Sequence, residues 1–211
     1  MSARDSILAQ VRAALGRSGP GPAEPAPSVR LRAPESGVEA RIESLFCAAG
    51  MLAGKTFLAA SPAHARQYVA EVIGGKPSVA SNASLLHTCG IDSLDSVQTG
   101  FTGEGALRSA CASAAFGITG ADYALADTGT LVMLSSPEEA RMISLLPPVH
   151  VALVSRDRIL TGLDELFSIL PRPGDVTSSM VLITGPSRTA DIEQILVRGV
   201  HGPGEIHVVV V

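Results

Sequence analysis

Leu145-Leu-Pro-Pro-Val-His-Val-Ala-Leu-Val-Ser155 carries the chain out of a helix, through a rigid turn and into an apolar strand. The paired prolines fix the path between the two elements, because proline holds its own φ and restricts the residue before it. Residues 137–145 read as the helix and 150–155 as the strand. The same alternation extends on both sides. Short β-branched apolar runs at 131–134, 180–184 and 206–211 read as strands, and 163–170 and 189–197 as helices. Strands alternating with helices imply right-handed crossovers and a mostly parallel sheet, so the expected class is α/β. In such sheets ligands sit beyond the carboxyl ends of the strands, which makes the loops there the place to look for function.

The first half is less regular. Residues 38–49 read as a helix, 55–60 as a short strand, and 62–73 as a helix started by Ser61 as cap and Pro62 at its first position. Gly74-Gly75 stops it. Residues 77–81 suggest another strand, 82–102 are polar and carry no clear pattern, and 106–115 look helical. Ahead of this domain, Ile7, Leu8, Val11, Ala14 and Leu15 recur at helical spacing and Gly16 ends the run. Residues 17–37 hold five prolines and three glycines, a composition that behaves as a tether. The expected organisation is therefore an N-terminal helical arm at 1–16, a Pro/Gly-rich linker at 17–37 and an α/β domain at 38–211. Such an arm docks on its own domain or on another chain, including a second copy in a homo-oligomer, and a partner chain is the favoured reading.

Composition narrows the functional classes. Apolar residues make up 46% of the 211, charged residues 17% and aromatics 3%, so the core must be built from Ala, Val, Leu and Ile, a palette that suits buried parallel strands. With a net charge of −4 and no basic run, no nucleic-acid surface is expected. No apolar run has the length of a membrane span or signal peptide, and a cytoplasmic location is expected. Cys47, Cys89 and Cys111 match no zinc or iron–sulfur spacing and read as buried cytosolic thiols, so neither a metal nor another cofactor is expected in this chain.

Three segments could carry chemistry. Gly117 to Thr130, GITGADYALADTGT, brings Asp122 and Asp127 close to Thr119, Thr128 and Thr130, with Gly120 and Gly129 freeing the backbone. Threonine hydroxyls and main-chain N–H groups can orient a carboxylate or phosphate, while the plainer reading is a tight turn whose Asp127 and Thr128 bond their own backbone. His150 stands at a strand entrance beside the proline turn, as a structural residue or a ligand contact. Thr184-Gly-Pro-Ser-Arg-Thr189 follows an apolar strand and is expected to open a helix. There Gly185, Ser187 and Thr189 would present free N–H groups and Arg188 a planar fork, a combination suited to an anion. It lacks a capping-box glutamate and is not a Walker loop. His201-Gly-Pro-Gly-Glu205 reads as a sharp structural turn.

These stretches together, with SLLPPVHVALV and TGPSRTADIEQILVRGVHGPGEIHVVVV in order, resemble the LutC/YkgG group of bacterial lactate-utilisation proteins, the LUD domain. The resemblance is dense over about residues 100–211 and looser before them. It implies a fold similar to the NagB/RpiA/CoA-transferase group, with helices on both faces of the sheet. It also implies a role in oxidising L-lactate to pyruvate beside iron–sulfur partner proteins that carry the clusters. Members of the group usually have Glu where this chain has Asp127, so the carboxylate here is shorter by one methylene.

Two functional readings follow. In one, the chain is a non-redox subunit of a lactate-oxidising system that binds a small carboxylate or phosphate-bearing ligand, iron–sulfur partners, or both. In the other it is a stand-alone isomerase or acyl/CoA-transferase-like enzyme, with Asp127 as base or nucleophile and Thr128, Thr130 and Arg188 holding the substrate's anionic group. A shared fold alone supports the second reading weakly.

Overall fold

The computed structural model describes residues 2–16, 37–170, 179–189 and 197–211. The linker at 17–36 and the interior of the expected last helix, 190–196, lie outside the described residues. What is described falls into two units, the arm and the main body.

The arm is α1 (Ala3–Ala14). Ser2 caps it by accepting the Asp5 N–H, and the Asp5 carboxylate accepts the Ser2 N–H in return, so two free donors of the helix start are satisfied. Its apolar stripe is open: Ile7, Val11 and Leu15 are exposed.

The main body begins with α2 (Val38–Met51), β1 (Lys55–Leu58) and α3 (Pro62–Ile73), whose Ser61 cap and left-handed Gly74 stop match the reading of the sequence. Next come β2 (Ser78–Ala80), α4 (Ser84–Thr88), β3 (Val97–Gln98), α5 (Glu104–Ser113), β4 (Phe116–Gly120), β5 (Tyr123–Leu125) and β6 (Thr130–Leu134). The last third holds α6 (Met142–Leu145), β7 (Val149–Val154), β8 (Ile159–Leu160), α7 (Leu163–Ile169), β9 (Met180–Ile183), β10 (Arg188–Thr189), β11 (Val197–Arg198) and β12 (Glu205–Val210).

Six strands form a wholly parallel sheet in the order β1-β12-β7-β4-β2-β3. On one face Ala65, Val69 and Ile73 of α3 and Leu86 of α4 pack on Ile118, Val151, Leu153 and Val209. On the other, Ile42 and Leu45 of α2 cover Ala152, Val154 and Val208, while Leu107 of α5 and Ile143 of α6 pack on Val79. Each leucine-sized side chain so buried contributes roughly 2 kcal/mol. The architecture is α/β, with a mostly parallel sheet and helices on both faces.

Two strands behave differently from expectation. Residues 131–134 and 180–184 were read into the parallel sheet, but β6 and β9 pair antiparallel with each other in a second sheet, ordered β8-β5-β6-β9, stacked beside α2. Conversely, β4 was read as part of a loop and is a central, fully buried strand. Gly117 explains why. A Cβ there would lie 1.9 Å from the Ile143 carbonyl oxygen, so only glycine lets α6 rest on the strand's backbone.

Candidate functional site

β2 and β4 are neighbours in the parallel sheet, yet the chain leaves their carboxyl ends toward opposite faces. After β2 it enters α4 on one side; after β4 it enters the β5–β6 hairpin and α6 on the other. Such a divergence opens a crevice at the strand ends. A cavity of about 580 Å³ lies there, lined by Asn82 and Ala83 after β2, Gly120 at the end of β4 and Asp122 after it, Ser155 and Arg158 after β7, and Glu138 and Glu139 from the turn after β6.

That turn is built by its own sequence. Ser136 Oγ accepts the N–H groups of Glu138 and Glu139, at 3.2 and 3.1 Å, and the Glu138 carbonyl accepts the Asn82 N–H from the opposite wall. Residues 137–141 therefore form a turn instead of the expected helix start, and only Met142–Leu145 is helical. The turn drives Glu139 inward until it is 7% exposed. Its Oε2 accepts Ser81 Oγ at 2.7 Å and the Gly120 N–H at 3.1 Å, whereas its buried Oε1 has no partner. Burial pushes the carboxyl up to about 8, the two hydrogen bonds oppose that rise, and the charge of Asp122 adds to it. At neutral pH Glu139 is mostly a neutral acid.

Asp122 accepts the Leu134 N–H at 2.7 Å, and burial raises its carboxyl as well, against backbone hydrogen bonds and the charge of Arg158. Arg158 donates to the Tyr123 hydroxyl at 3.1 Å and lies over the Tyr123 ring. For an anion the crevice offers this one cation against Asp122, Glu138 and Asp157.

Of the residues singled out in the sequence, Gly120 and Asp122 line this cavity. Thr119 and His150 are fully buried and bonded to each other, Oγ1 to Nε2 at 2.7 Å, on the face of the sheet covered by α2. Burial lowers the His150 imidazole to about 4, so it is a neutral core residue that a ligand cannot touch. The ADTGT and GPSRT turns do meet, at the edge of the second sheet. Asp127 Oδ1 accepts from Thr128 Oγ1 at 3.1 Å, and the hydroxyls of Thr128, Thr130 and Thr184 follow one another at 2.8 Å. Gly129, with φ 68, closes the hairpin by donating to the Leu125 carbonyl, and its missing Cβ admits the backbone of Ala49. Gly185 abuts Leu52, and Arg188 donates to the Leu52 carbonyl.

The expected helix start is overturned. Arg188 and Thr189 form β10, paired antiparallel with β11, and the Ser187 N–H is taken by the Pro203 carbonyl. Among the described residues Gly185–Thr189 lead into a strand, and residues 190–196 of the expected helix lie outside them. Among the thiols, Cys89 and Cys111 are buried, where burial raises them, while Cys47 is exposed, contrary to expectation. No helix among the described residues is long and apolar enough to cross a membrane. The residues missed were Ser81, Asn82, Glu138, Glu139 and Arg158. The Ser135-Ser-Pro-Glu-Glu139 run was the available signal, since paired serines before a proline and two acids favour a turn.

The family pattern described as the LUD domain matches residues 48–211. Lactate utilization protein C of Anoxybacillus flavithermus is 35% identical over 156 residues, 70% of each chain. The protein of that name from Bacillus subtilis is 41% identical over 91 residues, 41% of this chain, and the match spans only 38% of that protein. A solved structure of a duf162 family protein from Deinococcus radiodurans superposes with a TM-score of 0.58 at 20% identity, covering 82% of this chain and 95% of its own, which speaks for the fold. The pattern runs from α2 through both walls of the crevice to the last strand, and on that ground the chain belongs to the LUD domain family.

Proposed function

We propose that the chain serves a bacterial L-lactate utilisation system, in which L-lactate is oxidised to pyruvate, as a cytoplasmic, non-redox subunit that binds a small ligand and works beside iron–sulfur partner proteins. Its relatives' names support the system. The ligand-binding part rests on one observation: Glu139, nearly sealed at a strand-end crevice, keeps a buried carboxyl oxygen without a partner. Buried polar groups are satisfied in almost every native structure, so an orphan at a cavity marks a place for a ligand or an ordered water. In this reading a small carboxylate or phosphate belongs at the other edge, where Thr128 and Thr184 are exposed and Arg188 keeps donors beyond the one given to Leu52.

A strain lacking this chain should lose growth on L-lactate and regain it with the wild-type gene, but not with Glu139→Ala at equal protein level. Undiminished growth of the deletion strain overturns the role. Co-purification with the iron–sulfur partners, lost on deleting residues 1–16, tests the subunit assignment. A second reading, an enzyme acting alone by acid–base chemistry, draws on the Asp122–Glu139 carboxyl pair. Asp127, its original candidate, is exposed and engaged by Thr128.

A further inference from the structure

We propose that the β2–β4 crevice is a site for a small organic ammonium compound, with the ligand's N–H groups donating to Glu139 Oε1 and to the carboxylates around it. The inference rests on the crevice being the ligand site, and it names the chemistry of the occupant. The charged groups facing the cavity are Asp122, Glu138, Glu139, Asp157 and Arg158. Arg158 is already held by the Tyr123 hydroxyl and ring, and its Nε lies 3.9 Å from Asp157 Oδ2. The potential inside is therefore set by carboxylates. In a cleft with low-dielectric walls that field concentrates cations and turns away carboxylate and phosphate anions.

Glu139 makes the preference specific. Both protein donors within reach are used on Oε2, and Oε1 has neither donor nor acceptor beside it. An incoming ammonium supplies what is missing, a positive charge and several N–H donors on one atom. It would let Glu139 ionise at a pH where the empty site holds the proton, since the carboxyl stands raised to about 8 by burial with no cation against it. Binding at pH 7 then releases close to one proton. L-Lactate and pyruvate lack the positive group and bring a like charge, consistent with a subunit whose crevice does not house the oxidised substrate. The cavity volume lies within the range of small-molecule sites, roughly 300–1,000 Å³. No group of three or more His, Cys, Asp or Glu able to hold a metal occurs among the described residues, which favours an organic cation over a metal ion.

The test uses the full-length protein, ethanolamine and putrescine as probes, and L-lactate, pyruvate and inorganic phosphate as size-matched or anionic controls. Affinity is read by calorimetry, and proton exchange with an indicator in weakly buffered solution at pH 7. The expected result is saturable binding of at least one amine with release of close to one proton per site. Glu139→Gln, which keeps an oxygen for Ser81 and Gly120 and so retains the fold, should abolish the release and weaken binding about tenfold or more. Binding of L-lactate, pyruvate or phosphate that depends on Glu139, with no amine bound, overturns the ligand class while leaving the crevice as the site. If no probe binds and crystals soaked in each show only water at Glu139, the crevice reading itself falls.

Discussion

Ser81 Oγ donates to Glu139 Oε2 across 2.7 Å, and this bond joins the carboxyl end of β2 to the turn after β6. The Gly120 N–H at the end of β4 reaches the same oxygen. One carboxyl thus laces together three segments that meet at the crevice, and its second oxygen is left for whatever enters.

The raised pKa of Glu139 makes stability depend on pH with a definite sign. In the unfolded chain the group ionises near 4.5; in the fold it holds its proton up to about 8. Between these values the folded state binds more protons, so stability falls as pH rises, by at most about 1.4 kcal/mol per unit, and levels off above about 8. Glu139→Gln should remove that slope. Denaturant melts from pH 5 to 9 should show the variant at least as stable as wild type at pH 9, with the gap narrowing toward pH 5. A slope unchanged by the substitution would mean that Glu139 is ionised in the fold.

His150 acts at the other end of the scale. Burial lowers its imidazole from 6.5 to about 4, so below pH 6.5 the unfolded state takes up a proton that the fold refuses. This contribution to stability is lost as pH falls from about 6.5 to about 4. Where the two windows overlap, between about 4.5 and 6.5, their slopes oppose each other. Thr119→Val should cost about 1–3 kcal/mol, because it leaves Nε2 as unpaired as Nδ1 already is. Urea unfolding at pH 7 measures it, and a change below about 0.5 kcal/mol would mean that the hydroxyl contributes nothing there.

How far the sequence disclosed this fold depended on whether local pattern or long-range packing set each element. β7 and β12 were legible because both faces of a central parallel strand are buried and the run is continuously apolar. β4 was not, since Gly117, Thr119 and Gly120 interrupt its apolar pattern, and the reason for Gly117 is a carbonyl in α6, 26 positions along the chain. The apolar run of β9 was read, but nothing local says that it pairs antiparallel with β6. Asp122 was found because acid, glycine and threonine cluster visibly around it. Glu139 was hidden inside a segment that looks like a helix surface, and only the Ser136 hydroxyl and the Asn82 N–H turn it inward.

Gly117→Ala should therefore be among the most damaging single-methyl changes in this chain. The new Cβ would lie 1.9 Å from the Ile143 carbonyl oxygen and 3.1 Å from Pro147 Cγ. Backbone and a proline ring cannot swing aside as a flexible side chain would, so α6 must lift from the sheet, at a cost of about 3 kcal/mol or more. Soluble yield and thermal melting report this directly. A variant melting within a degree or two of wild type would show that α6 does not pack as described.

Ser81→Ala isolates the role of the bond across the crevice. Its hydrogen bond holds the Glu139 carboxyl down against the upward pressure of burial, so its removal should move the titration further above 8. Carbon-13 spectra of side-chain-labelled glutamate, followed from pH 5 to 10, resolve the shift. The downward stability slope described for Glu139 should then extend to correspondingly higher pH, because the folded state keeps its proton longer. If the lost bond were replaced by a water donating to Oε2, the titration would stay in place, and the Ser81 hydroxyl would be only one way of filling that position. A downward shift would contradict the geometry outright, since the Gly120 N–H is then the one hydrogen-bond donor left to the carboxyl among the described residues and Oε1 has no partner.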